Sequence, residues 1–436
     1  SHSLHIFDTN PNHCIVCGDG WQTVGQLVLD GFSVYSGTNE GGWKRMKFDF
    51  DAVIDRTGTK SVKWDTNHPS FNAEGMIPLW VADMDFASPP QVTEALMKRV
   101  SHPVYGYTFL GADFYGAVRE WIERRFSVAV EESWMTGIAG VMPGIRVAIE
   151  AFTSPGDKVL IQPPVYHPFF HAIASRGRQV VENPLVERDG FYEIDWDDFA
   201  QKVRDPQVKM FLLCAPHNPV GRDWTREELI RMGELCRENG VLLAVDEIHA
   251  DLVYQKDGHT PYYSLPRELT DNSLIFLSAA KTFNLAGFFT AIMLTPNPSH
   301  LQTFKKTAAA MGHDFVNLLG AEATIAAYRH GEPWLEQLLP YLHENAKYIH
   351  HFLQTRLPLV SMRVPQATYL GWMDFRRLGL PHDEVARLLR EKAKLGLHSG
   401  TTFGRQGKGF FRINFACPRH VLAEAMERLE RALQES

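Results

Sequence analysis

The sequence predicts an α/β protein: a mostly parallel sheet with helices on both faces, joined to a smaller α+β domain. Three observations lead there. Between residues 112 and 294, short and continuously apolar runs alternate with amphipathic stretches, the pattern of strands buried on both faces. After about residue 320 the texture changes to long helices around a few strands. The length of 436 residues, at roughly 150 per domain, gives two or three domains with ample core.

The elements follow in order. Residues 1–45 are rich in Gly, Asn, Ser and Thr and weakly patterned, and the first methionine is Met46. They read as an N-terminal extension, an introduced leader rather than a native arm. Cys14 and Cys17 form a lone C-x-x-C there, half a zinc site at best and without the context of a redox motif. Residues 112–126 and 144–152 read as amphipathic helices, the second stopped by Ser154-Pro155-Gly156-Asp157. Strands are expected at 158–162, 210–214, 241–245, 273–277 and 290–294, with a helix over 225–239. Beyond them come helices at 321–328, 334–357, 382–394 and 420–433, and strands at 369–373 and 409–415.

Composition narrows the class. Hydrophobic residues make up 44% and charged residues 22%, which excludes a disordered chain. The net charge of −7 is a poor match for nucleic-acid binding. No apolar run approaches the roughly 18 residues of a membrane helix, and no signal peptide is visible. Five scattered cysteines fit reduced thiols and a cytoplasmic home.

Four segments carry chemistry, each a loop after a strand, where open α/β sheets place ligands. Lys281 lies in Ser278-Ala279-Ala280-Lys281-Thr282-Phe283-Asn284. Alone it reads as a surface lysine, and its weight comes from its partners. Asp246 ends the apolar run 241–245 and is followed by Glu247-Ile248-His249. A carboxylate there needs a cation or donors to offset its desolvation, and it reads equally as a structural ion pair. Asn218, in Cys214-Ala215-Pro216-His217-Asn218-Pro219-Val220-Gly221, precedes a proline that restricts its backbone. It can aim an amide at a ligand or make a plain turn. Gly137-Ile138-Ala139-Gly140-Val141-Met142-Pro143-Gly144 runs into a helix, whose free N–H groups suit an anion. By itself it is an ordinary turn. Together the four supply an amine, a ring counter-ion, an amide donor and an anion cradle, a set that suits pyridoxal 5'-phosphate (PLP).

With these segments, the runs 79–86, 104–107 and 164–169 and Arg412-Ile413-Asn414 appear in one order. On them the chain resembles the fold-type I PLP enzymes of the aminotransferase superfamily, and within it the MalY/PatB-like carbon–sulfur lyase (cystathionine β-lyase) branch. The resemblance covers nearly everything from Met46 onward. It implies a seven-stranded-type sheet, an arm over 46–93 that includes part of the small domain, a large PLP-binding domain over 94–330 and a small C-terminal domain over 331–436. It implies that Lys281 bonds the cofactor and Asp246 pairs with its ring nitrogen. Asn218 donates to its phenolic oxygen, and Tyr166 stacks on its face. Val141 and Met142 give N–H groups and Ser278 a hydroxyl to the phosphate. Tyr107 reaches that phosphate from the other subunit of a homodimer. Arg412 holds the substrate carboxylate through two parallel bonds, with Asn218, Tyr105 and Tyr369 beside the substrate. Trp80 and Phe283 are further candidates for the pocket wall. His249 occupies the place of a Tyr that bonds the phenolic oxygen in many aminotransferases, Phe289 that of a phosphate-supporting Arg, and Val220 that of a common Thr. The implied activity is α,β-elimination from a cysteine S-conjugate. Transamination on the same residues is the alternative, and a regulatory protein retaining the fold a second one.

Overall fold

The strands of the main sheet sort their side chains by alternation. Met210, Leu212, Leu242, Ala244, Leu274 and Phe276 enter one apolar core, and Phe211, Leu213, Leu243, Val245, Ile275 and Leu277 enter the other. Period-two alternation puts neighbouring residues on opposite faces, so a strand apolar throughout needs cover on both. That cover is helical. The computed structural model describes residues 46–66, 68, 71, 74–255 and 258–435, so the readings for residues 1–45, Cys14 and Cys17 included, lie outside the described residues.

The main sheet has seven strands: β1 (Met135–Ile138), β2 (Lys158–Ile161), β3 (Gln179–Glu182), β4 (Val208–Cys214), β5 (Leu242–Asp246), β6 (Ser273–Leu277) and β7 (Ala291–Leu294). Their spatial order is β1-β7-β6-β5-β4-β2-β3. Only β7 runs against its neighbours, so the other six end on the same edge. The expected mostly parallel sheet is present, with β1 and β3 as edge strands beyond those foreseen.

Helix α1 (Ala112–Phe126) matches its expected span, and α2 (Val141–Phe152) starts three residues earlier than expected. Helix α3 (Arg226–Glu238) opens with a capping box, in which Thr225 Oγ1 accepts from Glu228 N and Glu228 Oε2 accepts from Thr225 N. A second, antiparallel sheet consists of β8 (Ser361–Met362), β9 (Leu370–Asp374), β10 (His398–Ser399) and β11 (Phe410–Asn414), in the order β8-β9-β11-β10. It packs with α4 (Glu332–Arg356) and α5 (Arg419–Gln434). Asn345 of α4 donates to the carbonyls of Phe415 and Cys417, fixing the end of β11. The helix expected over 382–394 is α-helical only over His382–Arg387 and continues as a π turn over Leu388–Lys392.

Candidate active site

The shared strand edge gathers the chemistry. Asp246 is the last residue of β5, in register with Cys214 of β4 and Phe276 of β6. Its side chain is buried, and its oxygen accepts from Ile248 N at 3.1 Å. It makes no ion pair among the described residues. Burial pushes its pKa up to about 7, the bond from Ile248 and the Lys281 charge opposing. A buried carboxylate in this state awaits a cation.

Lys281 follows β6 in a single helical turn (Ala279–Thr282) capped by Ser278, whose Oγ accepts from Ala280 N at 3.1 Å and donates to Thr290 O at 2.7 Å. Thr282 anchors the turn from behind, donating to buried Asp251 at 2.7 Å. The Lys281 ammonium donates to the Ala82 carbonyl, which also accepts from Tyr369 Oη at 2.9 Å. Burial brings the Lys281 pKa down to about 8, with Arg412 assisting and Asp83 and Asp246 opposing.

Arg412 sits in the middle of β11, in register with Trp372 and His398. It is buried and meets no carboxylate among the described residues. One terminal nitrogen donates to Asn218 Oδ1 at 3.0 Å and the other to Trp80 O at 2.8 Å, while Nε has no partner. Burial lowers its pKa to about 10. Burying an unpaired guanidinium costs several kcal/mol, which an anionic ligand offsets. Because Asn218 spends its oxygen on Arg412, its amide nitrogen is the group left to donate.

The anion cradle lies at the end of β1. Gly140 takes φ +106°, a conformation that favours glycine, and α2 starts at the next residue with no side chain capping it. Pro143 has no N–H, so Val141 and Met142 offer the free donors. Gly144 seats the helix: a Cβ there would come within 2.4 Å of Ile138 Cδ1 and 3.0 Å of the Phe276 ring. Tyr166, after β2, is half-buried between the opposite charges of Asp246 and Arg412. Buried His249 has an unpartnered Nδ1, and burial with the nearby Lys281 and Arg412 charges holds it neutral, well below the usual histidine range.

Within one protomer Tyr105 and Tyr107 are not brought to this cluster. Both are exposed, and Tyr105 Oη donates to Val100 O. Phe283 is a correction: it packs in the core against Trp121, Tyr328 and Trp334 instead of lining the site. Phe289 is exposed. Sequence reasoning missed His398 and His167, whose rings lie 4.9 Å apart beside Arg412. It also missed the carbonyls of residues 80–86, since a backbone oxygen carries no residue identity.

The arrangement fits a ligand with an anionic group, a ring able to become cationic and a carbonyl for an amine to attack. Fold and site together define an α/β enzyme of amine chemistry that works at the C-terminal strand edge. The model of the aminotransferase class I and II family matches residues 74–429, and the chain belongs to that family. Cystathionine β-lyase PatB of Bacillus subtilis (strain 168) is 40% identical over 385 residues, 88% of this chain and 100% of PatB. Protein MalY of Escherichia coli (strain K12) is 32% identical over 89% of this chain and 99% of its own length. The crystal structure of cystalysin from Treponema denticola, which contains a pyridoxal 5'-phosphate cofactor, superposes with a TM-score of 0.87 at 34% identity, covering 89% of this chain and 100% of that one.

Proposed function

We propose that this protein is a PLP-dependent carbon–sulfur β-lyase that splits cystathionine or a related cysteine S-conjugate, with water, into a thiol, pyruvate and ammonia. The observation that carries the reading is the pairing of two opposite deficits at one strand edge: a buried guanidinium without a carboxylate and a buried carboxylate without a cation. The PatB relative points the same way.

When bound, PLP supplies an electron sink for the pair left at the substrate's Cα. The chain's residues do the rest. Lys281 is the residue that bonds the cofactor. With PLP and substrate in place, its amine would be the group that takes the Cα proton as general base. Asp246 would pair with the ring nitrogen and stay ionised there, because the added cation offsets the desolvation that pushes its pKa up. Arg412 grips the substrate carboxylate in a fork, steadied by Asn218 and Trp80 O. Val141 and Met142 hold the phosphate at the start of α2, and Tyr166 covers the ring; Ser278 joins them by turning its hydroxyl from Thr290 O to the phosphate. His249, being neutral, leaves the positive field of the site to Lys281 and Arg412. Tyr369 shapes the substrate side by its bond to Ala82 O.

Two copies complete the site. The loop 101–111 exposes Val104, Tyr105, Tyr107 and Phe109, an apolar set suited to a partner subunit, to whose phosphate Tyr107 reaches. Buried free thiols at Cys214, Cys236 and Cys417 fit a cytoplasmic setting. Among the described residues no helix is long and apolar enough to cross a membrane.

The test is a product assay on the purified holoenzyme with cystathionine and no keto acid. Pyruvate, ammonia and free thiol in equal amounts support elimination. Turnover only after a keto acid is added would assign the protein to transamination.

A further inference from the structure

Residues 80–86 form neither helix nor strand. Their carbonyls are held by side chains of the site instead. Trp80 O accepts from Arg412, and Ala82 O from Lys281 and Tyr369. Val81 O and Asp83 O share the Asn414 amide, and Met84 O and Phe86 O share that of Asn284. This run is therefore a rail, along which the lysine and the carboxylate-binding arginine take their positions.

The rail is clamped from its far side by residues 56–64. Asp85, 6% exposed, accepts from Lys63 Nζ at 2.6 Å, Trp64 Nε1 at 3.0 Å and Arg56 Nη1 at 2.7 Å. Arg56 also forks onto Asp83, at 2.8 and 3.0 Å. Lys63 is 1% exposed, which makes its pair with Asp85 a buried one. Such pairs return little net stability compared with apolar packing, while fixing one geometry. A segment that only had to be tethered could have used apolar contacts.

We propose that Lys63 and Asp85, with Arg56, are positioning residues for the reaction: their lock sets the Ala82 carbonyl, and so the place from which the Lys281 amine works on the substrate's Cα–H bond. The inference rests on Lys281 being the cofactor lysine. The charged and titratable groups around Lys281 are Asp83 from the rail, Asp246 and His249 from the end of β5, Arg412 from β11 and Tyr369 on the same carbonyl. A rail that shifts carries Asp83 with it, and Lys281 registers the change.

The experiment compares holoenzyme carrying Lys63→Met, Asp85→Asn, both together, or Lys63→Arg. Three readouts are taken: melting temperature, the pH titration of the absorbance band of cofactor bonded to Lys281, and kcat and KM. The single neutral variants lower the melting temperature, because each takes the nearest charged partner from a buried group: Lys63→Met leaves Asp85 with Arg56 and Trp64, and Asp85→Asn leaves Lys63 with Asp83 at 3.8 Å. The double variant regains much of that loss. If the lock positions Lys281, the double variant still shows a shifted absorbance midpoint and a kcat reduced about ten- to hundredfold, the scale of a misplacement near 1 Å, with KM little changed. Lys63→Arg restores most of both. A double variant with unchanged midpoint and kcat would overturn the proposal and leave the lock a tether. If the unmutated enzyme lacks a band that Lys281→Ala abolishes, the cofactor-lysine reading itself fails, a result told apart because it appears without any change to the lock.

Discussion

At the scale of single residues, the site is built from charges whose partners the ligands bring. Lys281 is the sharpest case. On the roles proposed above, Lys281→Ala keeps the other cofactor contacts and removes the base, so the variant is expected to retain PLP non-covalently and to lose about 10²–10⁴-fold in turnover. Absorbance and pyruvate release on the same sample check both halves. Arg412→Lys keeps the charge and loses the proposed fork onto the substrate carboxylate. One charge-assisted bond is worth about 1.5–3 kcal/mol, so kcat/KM on cystathionine should fall roughly ten- to hundredfold. Asp246 yields a prediction in pH. Folding raises its pKa from 3.8 to about 7. Across that window the native state holds the proton more tightly than the unfolded chain, so this group makes the cofactor-free protein less stable as pH rises. Asp246→Asn removes that slope. The melting-temperature gap between wild type and variant, both without cofactor, should therefore move in the variant's favour on going from about pH 4.5 to 7.5. A gap that stays constant across this range would mean that the carboxylate has a partner in the apo protein.

At the scale of elements, function depends on where strands stop and helices start, and this is also where the sequence was most and least informative. The central strands β4, β5 and β6 were legible because they are buried on both faces and apolar throughout, and the loops after them carry Asn218, Asp246 and Lys281. The edge strands β1 and β3 escaped notice. Met135-Thr136-Gly137-Ile138 is mostly buried but interrupted by Thr136 and Gly137, and Gln179-Val180-Val181-Glu182 is half-buried or exposed with polar residues at both ends, which blurs the apolar run. The end of the helix over 382–394 was misread because periodicity does not report a π turn. The junction of β1 and α2 tests the link from backbone to binding. At φ +106° Gly140 occupies a region costing other residues about 1–3 kcal/mol, while the space around it is open enough for a methyl group, with Pro143 Cδ at 3.5 Å. Gly140→Ala should thus weaken PLP binding through a tilted helix start rather than a clash. The apparent Kd for the cofactor should rise about five- to hundredfold, by equilibrium dialysis, with little change in kcat at saturating PLP.

At the scale of the whole molecule, the proposed dimer supplies what one protomer lacks. One protomer assembles Lys281, Asp246, Asn218, Tyr166 and Arg412, and leaves Tyr107 and Phe109 fully in solvent. Large exposed aromatics in one short loop are expensive to hydrate, which supports the proposed contact with a partner subunit. The role proposed for that loop comes only from the resemblance, since spacing within one chain carries no information about a second copy. The dimer reading gives a prediction that a purely structural loop does not. Tyr107→Ala and Lys281→Ala each impair every site when made alone. If Tyr107 serves the partner's phosphate, a mixed dimer of the two variants holds one site with an intact lysine and an intact tyrosine, and one site lacking both. Reassorted one to one, the mixture should rise toward about a quarter of wild-type activity, because half of the dimers are mixed and each carries one good site. If Tyr107 acts within its own subunit, no dimer contains a good site and the mixture shows only the parents' mean. Unfolding and refolding the variants together, then assaying thiol release against each parent refolded alone, separates the two arrangements.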